Sequence, residues 1–336
     1  MPNPSPASLP QKIWDIAVVG GGPAGCTAAI HGAREGFSVI LIEKTAFGGQ
    51  MLLADAIDSW PGLDRPADGF ALAACMKEHA VRAGAVLRIG TVTGYTLDGA
   101  YKRLFLDGYT PAAPPPAYTG ISPKEILSRF VILATGARPK MLGLPGEEAL
   151  IGHGVSFCGA WDGRLYRGKT AAVIGGGYMA AHHVLFLSRL CRRVFWIRCR
   201  QPSLSPAVQK DLADRDSVIL LTPYRVTGFR TGGAPIPHVT GLELLHCETG
   251  NTSAIDCGGV FPAIGTIPQT EPVREVLACT ETGAVITGKY GRCSLPGVYA
   301  AGDCRDTPLP RILTACADGA AAVAGILDEL KNPSPR

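Results

Sequence analysis

The stretch DIAVVGGGPAGCTAAIHGAREGFSVILIEK, Asp15 to Lys44, decides the fold. An apolar run, a glycine-rich turn, a small-residue segment of helical period and a second apolar run ending in an acid read as the strand, turn, helix and strand of one βαβ unit. Gly20, Gly22 and Gly25 supply a G-x-G-x-x-G pattern around Pro23 and Ala24. The first two glycines permit a tight turn and close approach of backbone to a pyrophosphate, and the third lets helix and strand touch. Phosphate charge then meets the N–H groups and positive dipole end of the helix. Glu43 lies at the end of the second strand, about twenty residues on, where a carboxylate hydrogen-bonds an adenosine ribose. Glycines serving only a tight turn would not need strand, helix and acid in register, so a bound dinucleotide is the expectation.

The same pattern recurs in KTAAVIGGGYMAAHHVLFLSRLCRRVFWIRCR, Lys169 to Arg200: a strand, a triple-glycine turn, an apolar helix and a strand. Two nucleotide-binding folds in one chain are expected. Between the units, LDGYTPAAPPPAYTGISPKE (106–125) is too rich in proline for regular structure and reads as an enlarged loop between two strands. Near the C-terminus, LPGVYAAGD (295–303) reads as a strand. It leads to PRILTACADGAAAVAGILDEL (310–330), a small-residue helix suited to close packing on a cofactor or sheet. Asp303, between that strand and helix, is placed to take a cofactor hydroxyl.

Composition bounds the function classes. A chain of 336 residues with 46% hydrophobic and 18% charged residues fits a soluble two-domain α/β protein. A net charge of +4, without a dense basic patch, argues against nucleic acid as a partner. No run reaches the roughly eighteen apolar residues of a membrane span, and the N-terminus lacks the pattern of a signal peptide, so a cytoplasmic protein is expected. Eleven cysteines lack the spacing of a disulfide framework or zinc site, and no metal is expected.

Ten short motifs now carry a resemblance. GGGPAG, GGQ (48–50), WPG, ATGARP (134–139), LPGEE, GVSFC, DGRLYRGK, VIGGGYMA, AIGTIP and GVYAAGDC follow in order the landmarks of the low-molecular-weight thioredoxin reductases, which the chain resembles over nearly its whole length. The resemblance implies an α/β fold of two Rossmann-like (three-layer ββα) nucleotide-binding domains, the second inserted into the first. Residues 1–11 would be a disordered N-terminus, 12–144 and 278–336 a discontinuous FAD-binding domain, and 145–277 the inserted NAD(P)-type domain. Hinge strands would join the domains, and a homodimer is implied. Carried over, the FAD contacts are Gly20, Gly22, Pro23, Ala24, Gly25, Glu43, Lys44, Gly49, Gln50, Thr135, Gly136, Asp303, Arg311, Ile312 and Thr314.

Two departures qualify the resemblance. The family carries a C-x-x-C in the inserted domain, whereas here Cys158 survives and Trp161 replaces the flavin-proximal cysteine, so an internal disulfide cannot form at this motif. The second loop keeps Gly175, Gly177 and Ala180, with Tyr178 and Met179 between them, but the family's paired glutamates become His182 and His183. Its basic HRRxxFR run becomes IRCRQPSLSP, which keeps Arg198 and Arg200 and puts Cys199 between them; a thiol cannot replace an arginine fork on phosphate.

A glycine loop kept without its NADPH readers suggests a second FAD there instead of NADPH. The chain is in this respect similar to the cyanobacterial diflavin-linked disulfide oxidoreductases. Trp161 and Tyr178 either stack near the flavins or merely fill space. A relocated redox disulfide would draw on Cys158, Cys304 and Cys316, for which the alternative is buried thiols acting as small hydrophobes.

The function expected is therefore a FAD-dependent oxidoreductase moving electrons between flavin and a thiol or disulfide, with a quinone, oxygen or a redox protein as possible acceptor. The alternatives are a NAD(P)H-dependent flavin reductase passing electrons to ferredoxin or another acceptor, and a non-catalytic flavin-binding redox sensor.

Overall fold

The computed structural model describes residues 12–53, 57, 60–62, 64–65, 67–107, 125–200, 210, 212, 215–233 and 235–332, with the side chains of Leu53, Asp107, Ala160 and Trp161 excepted. The expected disordered N-terminus and nearly all of the proline-rich 106–125 stretch lie outside the described residues. The chain divides into two compact units, the first from Met1–Leu52, Ile57–Ala137 and Pro268–Arg336, the second chiefly Arg138–Ile267. Residues 138–144 therefore group with the second unit and 268–277 with the first.

In the first unit β1 (Ile13–Val19), α1 (Pro23–Arg34) and β2 (Val39–Glu43) form the βαβ unit that the opening stretch predicts. β2 is buried along its whole length, the pattern of an interior parallel strand covered on both faces. The 15-residue α2 (Gly69–Ala83) starts where the Asp68 carboxylate accepts the Phe70 and Ala71 N–H groups, and ends at Gly84 with φ 105°. The sheet continues through β3 (Val86–Ile89), β4 (Thr91–Thr96), β5 (Lys102–Asp107) and β6 (Glu125–Leu133), in the order β3-β2-β1-β6-β5-β4. β5 pairs antiparallel with the first half of β6.

Two further strands, β7 (Ala137–Pro139) and β8 (Thr170–Ile174), lead into the second unit. There α3 (Gly159–Asp162) is a single turn, and α4 (Tyr178–Leu187) crosses from β8 to β9 (Arg193–Ile197). β10 (Val218–Leu221) extends that sheet, while β11 (Tyr224–Gly232), β12 (His238–His246) and β13 (Thr252–Asp256) form a separate antiparallel sheet. With β14 (Gly259–Pro262) the parallel sheet has the order β10-β9-β8-β14. The antiparallel sheet covers one face of it through Val239, Leu242 and Leu244 packed with Ala172, Ile174 and Ile197. The opposite face packs against α4 through Ala180, Ala181, Val184 and Leu187.

The chain returns through β15 (Thr266–Pro268), paired with β7, and β16 (Val298–Ala300), which lies parallel to the second half of β6. The last helix, α5 (Ile312–Lys331), packs on α1 and, through Gly325, against Tyr299 of β16. Gly319 makes the α1 contact possible: a Cβ there would lie 2.2 Å from the Ala24 carbonyl oxygen and 3.0 Å from the Ala28 nitrogen. The small-residue character of the C-terminal helix thus serves a backbone-to-backbone helix crossing.

Candidate functional site

At the first loop, backbone geometry determines residue type. Gly20 has φ 109°, and a Cβ on it would fall 2.1 Å from the Ala134 carbonyl oxygen. A Cβ on Gly25 would lie 1.8 Å from the Gly20 carbonyl oxygen, so α1 and the end of β1 meet at backbone contact. Gly22, the N-cap of α1, faces open space, its nearest neighbour being the Gly49 Cα at 3.8 Å from a built Cβ. The Gly48 N–H donates to the Gly21 carbonyl (2.7 Å), holding the 48–49 segment against this turn. Among the described residues no side chain caps α1, its first turn carries no acid, and Pro23 occupies the start. An uncapped N-terminus between two glycine backbones is a cradle for an anion that the protein does not itself fill.

Glu43 is buried beside this cradle, its carboxylate accepting the N–H of Gly21 (2.7 Å) and of Thr45 (3.1 Å). A carboxylate has about four acceptor sites, so room for a ribose hydroxyl remains. Lys44 Nζ donates to Gln269 Oε1 (2.8 Å), Gln269 Nε2 donates to the Thr135 carbonyl (2.9 Å), and Thr135 Oγ1 donates to the Gln269 carbonyl (2.6 Å). Gln269 went unnoticed in the sequence because its partners come from distant elements. Gly136, at φ 67°, borders open space.

Gln50 Nε2 donates to Asp303 Oδ2 (3.3 Å), bringing together two more of the expected contacts. Burial raises the Asp303 carboxyl above the ordinary carboxylate range; the Gln50 hydrogen bond pulls it back, and nearby Asp318 adds to the rise. Asp318 accepts the Gly302 N–H (3.1 Å) and the Arg305 guanidinium (3.0 Å), fixing the turn that carries Asp303. At the start of α5, the Arg311 N–H donates to Thr314 Oγ1 (3.1 Å), which in turn donates to the Leu309 carbonyl (2.7 Å). Ile312 opens the helix. These residues fit a dinucleotide: an open anion cradle, a carboxylate at the strand end and a second carboxyl beside a glutamine amide.

The second loop repeats the construction. Gly175 has φ 139° and a Cβ there would lie 2.2 Å from the Ala263 carbonyl oxygen, matching Gly20 against Ala134. Gly177 caps α4 with no acid in the first turn and, among the described residues, no side-chain bond and no atom within 4 Å of a built Cβ. Ala180 is fully buried, whereas Tyr178 and Met179 are 60% and 56% exposed, so both project from the cradle. Trp196 Nε1 donates to the Gly175 carbonyl (2.8 Å), and the Arg198 guanidinium lies 4.5 Å from the Trp196 ring centre. Arg198 is 6% exposed, its pKa lowered by burial, while Arg200 is exposed. The expected 201–206 part of this reading segment lies outside the described residues.

The redox cysteines have distinct settings. Cys158 is buried immediately before α3; its N–H donates to Ser156 Oγ (3.0 Å), and Ser156 Oγ donates to Asp162 Oδ2 (2.6 Å). Trp161 lies in α3, its side chain outside the described residues. The Cys304 thiol donates to the carbonyls of Leu133 (3.3 Å) and Ala301 (3.4 Å), within the core on the sheet face away from α1. The Cys316 thiol on α5 points to the Pro23 carbonyl (3.8 Å) and neighbours Cys26. Cys304 and Cys316 are thus free thiols in separate settings rather than a pair. Burial raises the pKa of both.

Among the described residues no group of three or more His, Cys, Asp or Glu could hold a metal ion. Nor is any described helix long and apolar enough to cross a membrane.

The chain belongs to the pyridine nucleotide-disulphide oxidoreductase family, whose pattern matches residues 14–319. Within it the chain is an oxidoreductase of the thioredoxin reductase-like, FAD-dependent class. It is 35% identical to the thioredoxin reductase of Mycolicibacterium smegmatis over 317 residues, covering 94% of this chain and 96% of that one. Among solved structures, the thioredoxin reductase of Lactococcus lactis is 28% identical with a TM-score of 0.82, covering 94% of this chain and 98% of that one. That of T. acidophilum is 28% identical with a TM-score of 0.81, covering 96% and 100%.

Proposed function

We propose that the first unit binds FAD through Gly20, Gly22, Pro23, Ala24, Gly25, Glu43 and Asp303, and that the protein moves electrons between this flavin and a thiol or disulfide substrate. The observation that carries the reading is the uncapped α1 N-terminus between the Gly22 and Gly49 backbones, with buried Glu43 beside it. FAD held there supplies reversible two-electron chemistry. The chain's own residues bind and orient it: α1 backbone N–H groups face the pyrophosphate and Glu43 takes the ribose. Lys44, Gly49, Gln50, Thr135, Gly136, Arg311, Ile312 and Thr314 line the remainder. Cys158 is the one cysteine left at the C-x-x-C position, and there it pairs transiently with a substrate sulfur as a mixed disulfide. A thioredoxin-type protein is the substrate that the relatives' names suggest, and a homodimer is the assembly.

For the second loop, Gly175, Gly177 and Ala180, with Tyr178 and Met179, are proposed to hold a second FAD in the manner of the diflavin branch, supported by Cys199 in place of a phosphate-reading arginine. One observation favours a second reading, NADPH. Val19 pairs with Ile42, followed by Glu43, and Ile174 pairs with Ile197, followed by Arg198. A cation therefore stands where the first unit has its ribose carboxylate, which suits a 2′-phosphate. The test is to denature the purified protein, count released flavin per chain, and add NADPH to an intact anaerobic sample. Two FAD per chain without bleaching supports the diflavin reading. One FAD with rapid bleaching supports NADPH and a flavin reductase passing electrons to another acceptor. Flavin that can be reduced chemically but that no thiol, quinone or protein acceptor reoxidises at a useful rate points to a sensor, and absence of flavin refutes the proposal.

A further inference from the structure

The second unit carries a thiol pair outside either nucleotide loop. The Arg198 N–H donates to the Leu221 carbonyl (3.0 Å), and the Tyr224 N–H donates to the Arg198 carbonyl (2.9 Å). From the other side, the Cys247 N–H donates to the Pro223 carbonyl (2.8 Å), and Tyr224 pairs with His246, their rings edge to face at 4.8 Å. The end of β9 and the turn after β12 are therefore both anchored on the 221–224 connection. That arrangement brings Cys199 and Cys247 together across a long sequence separation, close enough for the Cys247 thiol to act on the ionisation of Cys199, while the Cys247 thiol itself points to the Leu245 carbonyl (4.0 Å). Both residues are exposed, unlike buried Cys26, Cys158, Cys191, Cys257, Cys304 and Cys316. Arg200 and Arg225 place positive charge beside the pair.

Exposed thiols carried on segments anchored to one connection can turn towards each other to form the S–S bond of about 2 Å, and their exposure admits a partner. The setting is electrostatically mixed. Partial burial and the neighbouring Cys247 push the Cys199 thiol up, while Arg225 and Arg200 pull it down. The arginines also favour an incoming molecule that carries carboxylates.

We propose that Cys199 and Cys247 form a redox-active surface dithiol that closes to a disulfide by exchange with anionic low-molecular-weight disulfides. One thiolate attacks a sulfur of R–S–S–R; that S–S bond breaks, a protein–S–S–R bond forms, and the released thiolate is protonated to R–SH. The second cysteine's thiolate then attacks the protein sulfur of the mixed disulfide, the Cys199–Cys247 bond forms, and a second R–SH departs. The protein gives up two electrons and two protons, and R–S–S–R takes up both. The site requires neither Cys158 nor a nucleotide. It has a structural consequence as well: the Arg200 carbonyl is the nearest atom to Gly176, at 3.8 Å from a built Cβ, so closure fixes the segment bordering the second glycine loop.

The test treats the reduced full-length protein and its C199S and C247S variants with glutathione disulfide, quenches with N-ethylmaleimide, and maps peptides by mass. The expected result is a Cys199–Cys247 cross-link without retained glutathione in the unsubstituted protein, and stable glutathione on the remaining cysteine in each variant. Circular dichroism confirms that the variants are folded. Glutathione disulfide is expected to react at least about threefold faster than cationic cystamine at low salt, with the ratio collapsing at high salt. Glutathione retained on both cysteines without a cross-link, or no reaction at either in the folded protein, would overturn the dithiol. Equal rates with the two disulfides would overturn its preference for anions.

Discussion

His183 sits on α4 where the family pattern has an acid, and its burial makes it a proton-linked weak point of the second unit. It is 8% exposed, its Nδ1 has no hydrogen-bond partner among the described residues, and its ring lies edge-on to Phe261 at 6.5 Å. Burial, reinforced by the charge of neighbouring His182, pushes its pKa down to about 4. In the unfolded chain it returns to about 6.5. Because the folded value is the lower, the unfolded state binds more protons between those values. Stability is fully present above pH ~6.5 and is lost as pH falls towards 4. For one such site the loss is about 2 kcal/mol at pH ~5 and approaches about 3 kcal/mol below the folded value. H183L removes both the titration and the unpartnered buried nitrogen while keeping a similar apolar volume. Urea unfolding of the second unit, followed by Trp196 fluorescence from pH 7 to 4.5, should give curves that diverge: the wild type weakens relative to H183L by about 2 kcal/mol at pH ~5. Parallel pH dependences would show that His183 takes up its proton equally in the folded and unfolded chains, and the argument from burial would fail.

Two further substitutions separate scaffold from cradle. G22A puts a Cβ where the nearest protein atom is 3.8 Å away, and is expected to cost at most about 1 kcal/mol in chain stability while sharply lowering flavin retained per chain. G25A puts one 1.8 Å from the Gly20 carbonyl oxygen, so apoprotein stability itself should fall by about 1–3 kcal/mol in denaturant melts. Q269A removes the side chain linking Lys44 to Thr135 and should weaken flavin binding about tenfold, measured by fluorescence quenching on reconstitution.

Much of this was legible from one dimension. The first βαβ unit could be read because glycine spacing, apolar strand runs and the terminal acid all fall within thirty residues of each other. What could not be read depends on contacts distant in sequence. Gln269 meets Lys44 and Thr135 only because β15 returns beside β7. The small residues of α5 were legible as a close-packing face, but not that Gly319 meets Ala24 on α1. Cysteines presented a similar limit: motif reasoning singled out Cys304 and Cys316, which bond to separate carbonyls, and passed over Cys199 and Cys247, which meet.

The comparison between the two loops sharpens what each can bind. Both have a glycine at positive φ against a carbonyl, Gly20 on Ala134 and Gly175 on Ala263, and both open an uncapped helix. Phosphate recognition, which uses backbone N–H groups, is therefore preserved in each irrespective of side chains. The difference lies at the end of each second strand, one residue after the matching pairs Val19–Ile42 and Ile174–Ile197, where Glu43 accepts two backbone N–H groups and Arg198 stacks on Trp196. A carboxylate there accepts from ribose hydroxyls, and a guanidinium can only donate. If a second FAD occupies the Gly175 loop, its ribose hydroxyls must act as acceptors towards Arg198 or turn to backbone groups. R198E, which restores a carboxylate at the Glu43-like position, should then preserve or strengthen flavin binding at that loop and abolish any response to NADPH. Loss of the second flavin in R198E would mean that the cation is part of the flavin site, and that the two loops hold their nucleotides by different chemistry.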